Sequence, residues 1–500
     1  MSGQPVVIGI DCSTHGAKAI AWTLQGDPVA EGRAGFDLSC PRPGHYEQHA
    51  PHWADAVFSA IRQLPCAAKS RTIAVGITHQ RETFVGVDAA RQPVFPAIVW
   101  MDHRAVAQVD TIRAMVGEAR FHATTGKPLT VTPSIAKIMW LRQHAPDAFR
   151  KVARWLDVGG YLAYALAGED VTSAGSAESM GLVDLAGGRW SDELLAAAGI
   201  EADRLPRIVP AGSVIGVMSE GAAQSAGMPV KPPVVVTAGD GQVAAVAAGI
   251  FGLEIAYLNL GTAIVSGTVG ESLRTDRAFR TMGGAVPGTW LFESDLKGGT
   301  FTIDWLVERL LGRSIPLPKL ESEAESLPAG AGGLVLLPYL AGVMNPYWDD
   351  DASGVLVGLR GHHGPAHVFR AVLEGIAFEQ RLHLREIERA TGTAIREIRV
   401  LGGGAGSDLW CQILADVLGR PVVRTRSQEA TSLGAAMLSA AAVGAFPSPR
   451  QAARAMGATA RRFDPGADRG HYDAIFEHVY ERLYPALQEP LRHLASSARG

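Results

Sequence analysis

Near its start the chain reads VVIGIDCSTHGAKAIAW, in which Asp11, Ser13, Thr14, Gly16 and Lys18 interrupt two apolar runs. A tight turn between two strands exposes successive backbone N–H groups, and a glycine lets an anion approach them closely. Ser13 and Thr14 add hydroxyl donors, and Lys18 adds positive charge. That set suits a phosphate. Asp11 would repel one unless it holds a magnesium ion that bridges phosphate oxygens. A plain hairpin whose hydroxyls cap their own turn fits the same letters.

The pattern returns later. EIAYLNLGTAIVSGTV is a strand, a Gly-Thr turn at Gly261 and Thr262, and a returning strand. Two such turns facing each other would grip a polyphosphate from both sides. IREIRVLGGGAGSDLWCQILADVLG is a strand, a glycine turn and a helix; its bare backbone can receive a flat purine or simply begin the helix. Neither a GxGxxG turn nor a GxxxxGK[ST] loop occurs. Between these segments, VVVTAGDGQVAAVAAGI sets Asp240 between a buried strand and a small-residue helix. Asp240 can cap that helix. A carboxylate at the mouth between two phosphate-gripping units is also where a general base would stand.

The elements that position these residues follow from patterning. QPVVIGIDC, AKAIAWTL and DPVAEGRAGFDL read as three strands, with Gly-Asp turn chemistry before the third. HWADAVFSAIRQL has helical spacing, and TIAVGITH is a buried strand. A mixed α/β unit results, and its scheme begins again near Gly249–Glu254, so the economical reading is an internal duplication. Residues 317–332, rich in Pro, Glu, Ser and Gly, read as a surface excursion, and residues 447–457 and 469–495 as closing helices.

The order of these motifs resembles the FGGY carbohydrate kinases across nearly the whole chain. TPSIAKIMWL (132–141), with Lys137 and Trp140, is similar to the first family signature, and SGVLVGLRGHHGPAHVFRAVLEGIAFE (353–379) to the second. The resemblance implies two ribonuclease H-like (actin-like ATPase) α/β domains, 1–249 and 250–500, with ATP and sugar in the cleft between them. It implies ATP contacts at Ser13, Thr14, Lys18, Gly261, Thr262, Gly403, Gly404 and Ser407. Asp11 and Asp240 would lie at the magnesium ion, and Asp240 would be the catalytic base. On the sugar side THQRETF offers Arg81 and Glu82, as in glycerol kinases, and VWMDHRA offers Trp100 and Asp102, similar to xylulokinases and ribulokinases. Two departures stand out: Ser13 replaces the commoner glycine, and GVMNP (342–346) replaces Gly-Glu-Arg-x-Pro. Adjacent residues on a strand face opposite ways, so Arg81 and Glu82 can reach one sugar only if the strand ends at THQRET.

The expected activity is transfer of the ATP γ-phosphoryl to a terminal hydroxyl of a ketose, a pentulose first and glycerol second. A nucleotide-switched interaction protein of the actin or heat-shock type shares the fold but has no use for Arg81, Glu82 and Asp240 as a polyol site. Length and composition agree with an enzyme of small molecules. The chain has 500 residues, 47% of them hydrophobic and 19% charged, and a net charge of −4. It offers no broad basic field for nucleic acid. Four scattered cysteines, no signal-like start and no apolar run of about 18 residues lead to the expectation of a soluble cytoplasmic protein without membrane partner. Assembly as a homodimer is left open.

Overall fold

The computed structural model describes residues 3–499. Its first sheet contains β1 (Val6–Cys12), β2 (Gly16–Thr23), β3 (Pro28–Gly35), β4 (Thr72–His79), β5 (Ser213–Val217) and β6 (Pro233–Gly239). Across the sheet the order is β5-β6-β4-β1-β2-β3. β1, β2 and β3 are antiparallel neighbours, whereas β4 runs parallel to β1 and β6 parallel to β4. The second sheet is built from β7 (Ile255–Leu260), β8 (Ile264–Gly270), β9 (Arg280–Gly283), β10 (Trp290–Leu296), β11 (Glu397–Leu401), β12 (Val422–Thr425) and β13 (Thr459–Phe463). Its order is β9-β10-β8-β7-β11-β12-β13. β7, β8 and β10 repeat the antiparallel trio, and β11 and β12 repeat the parallel pair. The expected repetition of one α/β scheme is thus visible strand by strand.

β1 is apolar on both faces because helices cover both faces. On one side lies α1 (Pro51–Arg62), started by a proline at its first turn and packed through Trp53, Val57, Ala60 and Ile61. The insertion between β4 and β5 includes α2 (Ser134–His144), which carries the first signature. The remaining helices used below are α3 (Asp240–Ala247), α4 (Leu317–Glu325), α5 (Pro365–Thr391), α6 (Asp408–Leu418) and α7 (Ala430–Ala442).

α3 and α7 cross between the sheets. Leu433, Ala436, Met437 and Ala440 of α7 share a core with Val7, Ile20 and Trp22 of the first sheet. Ala244, Ala245 and Ala248 at the end of α3 pack with Tyr257, Val269 and Leu291 of the second. Small residues permit the close approach. A side chain at Gly9 would overlap the Ser432 carbonyl oxygen, and one at Gly434 would overlap that of Val243. Trp22 Nε1 donates to Ser432 Oγ at 3.0 Å, and Ser432 Oγ donates to the Gly9 carbonyl at 2.9 Å.

Residues 317–332 are not wholly an excursion. They begin with α4, whose Leu320 and Ala324 are buried in the second core. The Pro and Glu content masked an amphipathic helix that packs on α5. The closing segment forms a helix over Pro449–Met456 and a helical run over Arg469–Arg499. Among the described residues no helix is long and apolar enough to cross a membrane.

Candidate active site

The turn between β1 and β2 is tight. Ser13 N–H and its hydroxyl both donate to the Gly16 carbonyl, at 2.9 and 3.0 Å. Lys18, across the strand pair from Asp11, meets Glu429, which also takes Arg33 at 3.3 Å. Thr14 Oγ1 accepts from Trp100 Nε1 at 3.0 Å. Asp11 Oδ2 accepts from Thr431 Oγ1 at 2.7 Å, while its Oδ1 is out of contact with solvent and has no partner among the described residues. Loss of water around it pushes the Asp11 carboxyl up to about 6; the Thr431 hydrogen bond lowers it and the charge of Asp240 raises it.

Asp240 is the first residue of α3, and Gly239 holds the cap position. The capping reading is therefore displaced by one residue. Its Oδ1 accepts from Gly241 N–H at 2.8 Å and from Arg81 Nε at 2.9 Å. The side chain is 43% exposed, and Oδ2 has no hydrogen-bond partner among the described residues. A carboxylate so held presents one fixed oxygen and one free one.

β4 ends at His79, and Glu82 turns the chain with φ 56°. That turn does what the sequence required of it. Arg81 reaches Asp240, and Glu82 Oε1 lies 3.7 Å from Arg280 Nη1, so both adjacent residues face the boundary between the halves. Both are largely buried. Arg81 also donates to Glu293 Oε1 at 3.0 Å. Burial alone would disfavour the guanidinium, but Glu293 and Asp240 hold its pKa above the usual value. Burial likewise works against the Glu293 charge, and Arg81 with Arg280 keeps its carboxyl below the usual range.

Trp100 stands 38% exposed at the edge of this cluster. Its carbonyl accepts from Lys137 Nζ at 3.0 Å, and that ammonium also serves the Thr132 carbonyl at 2.8 Å. Burial pushes the Lys137 ammonium down to about 7. Asp102 departs from its expected place as a sugar contact. It has no exposed surface, and its oxygens accept from Tyr46 N–H at 2.6 Å and from Arg104 Nε and Nη2 at 2.8–3.0 Å. Arg104 in turn lies over the Trp140 ring at 5.1 Å. Asp102, Lys137 and Trp140 thus brace the loop that carries Trp100.

In the second half, the Gly261 and Thr262 carbonyls accept from Thr300 N–H at 2.9 Å and Phe301 N–H at 3.2 Å, fixing the turn from behind. The Thr262 side chain is exposed. After β11, Gly402 takes φ 85°, and a side chain there would overlap Asn259 Oδ1. A side chain at Gly403 would meet nothing within 4 Å, whereas at Gly404 it would press into Trp410 and Leu260. Only Gly403 therefore offers an open surface of the expected pair. Ser407 is the N-cap of α6, accepting from Trp410 N–H at 3.1 Å, and its hydroxyl donates to Glu321. Sequence reasoning missed Gly402, Thr431, Glu429, Arg280 and Glu293. No group of three or more His, Cys, Asp or Glu residues able to hold a metal ion stands among the described residues.

Residues 6–247 match the N-terminal domain, and residues 256–443 the C-terminal domain, of the FGGY family of carbohydrate kinases. The chain is 31% identical to a xylulose kinase of Escherichia coli (strain K12), covering 86% of this chain and 89% of that one. It is 33% identical to a glycerol kinase of Alkalilimnicola ehrlichii, covering 88% and 90%. The crystal structure of xylulose kinase from Rhodospirillum rubrum superposes with a TM-score of 0.90 at 29% identity, covering 97% of this chain and 99% of that one. The two sheets are accordingly actin-like ATPase domains. The chain belongs to the FGGY family of carbohydrate kinases, phosphotransferases that take their phosphate from ATP.

Proposed function

We propose that the enzyme phosphorylates a terminal hydroxyl of a small ketose, a pentulose such as xylulose or ribulose. The observation that carries this reading is Asp240: one carboxylate oxygen is pinned by Arg81 and Gly241, and the other is free at a partly exposed helix start. Asp240 orients the sugar hydroxyl and accepts its proton as the new O–P bond to the sugar forms and the bond from the γ-phosphorus to the bridging oxygen breaks, releasing ADP. Arg81 and Glu82 bind neighbouring hydroxyls as donor and acceptor, and the Trp100 ring packs the carbon face. Asp102 acts from behind by holding the Trp100 loop.

The phosphate chain is read as lying between the turns at Ser13–Thr14 and Gly261–Thr262, with Lys18 beside the first and Gly403 under the adenosine. In that reading residues 1–249 supply the sugar side and 250–500 the nucleotide side. Asp11 and Asp240 suit a magnesium ion, which takes only one or two carboxylates and draws its other ligands from phosphate and water. The orphaned, buried Asp11 Oδ1 supports that fit. When bound, the ion would neutralise charge on the phosphates. The chain's own residues position the acceptor, receive its proton and exclude water, which is most of what phosphoryl transfer asks of a protein.

The match to glycerol kinases gives a second reading, glycerol as acceptor. A coupled assay of ADP release across glycerol, tetruloses, pentuloses and hexuloses decides between them. The highest kcat/KM is expected for a pentulose. A higher value for glycerol installs the second reading, and no acceleration by any polyol removes both.

A further inference from the structure

Beside Arg81 lies a buried carboxylate that has no part in the catalytic roles given so far. Glu293 lies on β10, in the opposite half from Asp240, and its side chain is 0% exposed. Its Oε1 accepts from Arg81 Nη1 at 3.0 Å and from Arg280 Nη2 at 2.5 Å, and its Oε2 accepts from Tyr257 OH at 3.2 Å. The two glycines flanking Asp240 are shaped around this arrangement. A side chain at Gly239 would overlap the Arg81 stem, and one at Gly241 would come within 2.6 Å of Glu293 Oε2.

Arg81 is therefore clamped at two points, through Nε to Asp240 and through Nη1 to Glu293. A planar guanidinium held at both ends has its orientation fixed, which one contact alone does not achieve. We infer that Glu293 is a positioning residue for phosphoryl transfer: it locks Arg81, and through Arg81 it fixes which oxygen of Asp240 faces the acceptor hydroxyl. This rests on the reading of Asp240 as the base. Because Glu293 belongs to the second sheet, the lock is complete only when the two halves stand together. A purely structural Glu293 would merely neutralise two buried arginines.

The two roles differ in what is lost: positioning lowers kcat/KM for the sugar in an enzyme that stays folded, whereas neutralisation alone lowers the unfolding free energy and leaves the turnover of the folded enzyme intact. The test uses the full-length enzyme, ATP and the best sugar from the screen. Glu293→Gln keeps the shape and loses the charge. It is expected to lower kcat/KM for the sugar roughly tenfold, with the KM for ATP within about twofold of the parent. In an Arg81→Leu background the same change is expected to cost less than about twofold, since the group it acts through is gone. Glu293→Asp, with its charge retained, is expected to recover part of the loss. Should the Gln variant fail to fold by circular dichroism, Glu293→Asp carries the same pair of backgrounds and is expected to show the same non-additivity at smaller size. Equal losses with and without Arg81, or parental kcat/KM in the Gln or Asp variant, overturn the inference. Asp240→Asn is measured alongside. If it retains turnover, the reading of Asp240 itself falls; if it is inactive while Glu293 proves additive or silent, only the positioning role falls.

Discussion

The matching strands β4 and β11 end in opposite surfaces. β4 runs into Gln80, Arg81 and Glu82, all largely buried among polar partners. β11 runs into Gly402, Gly403 and Gly404, where bare backbone faces outward at Gly403. Both leave the strand through a residue at positive φ, Glu82 at 56° and Gly402 at 85°. One scaffold has thus been given a hydrogen-bonding end and a flat end. The junctions before the crossing helices diverge in the same way. Asp240 opens α3 with a free oxygen, whereas Glu429, just before α7, is tied to Lys18 and Arg33. A common backbone plan leaves each half free to specialise at the few positions where strands stop.

The sharpest way to break this comparison is at the helix junctions. Asp240→Asn is expected to lower kcat by roughly 10²–10⁴-fold with little change in KM for ATP, the usual weight of general base catalysis. Glu429→Gln removes partly exposed ion pairs, so it is expected to cost about 1 kcal/mol or less in unfolding free energy and to leave kcat within about threefold. Comparable losses at both would make the junctions equivalent. At the ends of β4, Arg81→Leu and Glu82→Leu strand sugar hydroxyls without partners, at about 1–3 kcal/mol each. Steady-state kinetics should show kcat/KM for the sugar falling roughly ten- to a hundredfold, with nucleotide affinity nearly intact. Normal phosphorylation by both variants would move the pocket elsewhere.

At the end of β11 the expected effects are smaller and of two kinds. Gly402→Ala forces a side chain into the left-handed region and against Asn259, so chemical unfolding should show a loss of about 1–3 kcal/mol. Gly403→Ala meets no neighbour, so its stability should stay within about 0.5 kcal/mol of the parent while its KM for ATP rises. An unchanged KM would mean that adenosine does not lie on that backbone. The smallest effects belong to the turns. Thr262→Val removes an exposed hydroxyl, whereas Thr14→Val also frees the Trp100 indole. Both should weaken catalysis a few-fold by about 1 kcal/mol, and only Thr14→Val should also raise the sugar KM. Identical profiles would erase the difference between the turns.

Much of this was legible because the chain follows local rules. The apolar runs ending in Asp11 and Asn259, with Gly and Thr turns after them, read directly as hairpins. The loss of apolar character at THQRET marks the stretch in which β4 ends, at His79. Asp102 was misread although its partner stood two residues away: in Asp-His-Arg the guanidinium folds back onto the carboxylate. That α7 packs on the first sheet, and α3 on both, left no trace in the letters. Both helices are Ala-rich and buried nearly all round, which announces a covered helix without saying which sheet covers it. Glu293 was hidden for another reason. In WLFESDL a carboxylate reads as the solvent face of a strand, and its burial is made tolerable by Arg280, its register partner on β9, together with Arg81 from the other half.

The placing of α7 also governs how the chain is made. When the first sheet has left the ribosome, the face formed by Val7, Ile20, Trp22 and Ala74 has no cover, because its lid is Ala430–Ala442. The nascent protein carries an apolar, aggregation-prone surface through the synthesis of its entire second half. A gene split between the two sheets would leave the first piece without its lid and would part α3 from the second sheet, on which it packs with one of its faces. Such pieces become soluble only by finding one another, so co-expression, and not separate purification, is the route to a working split enzyme.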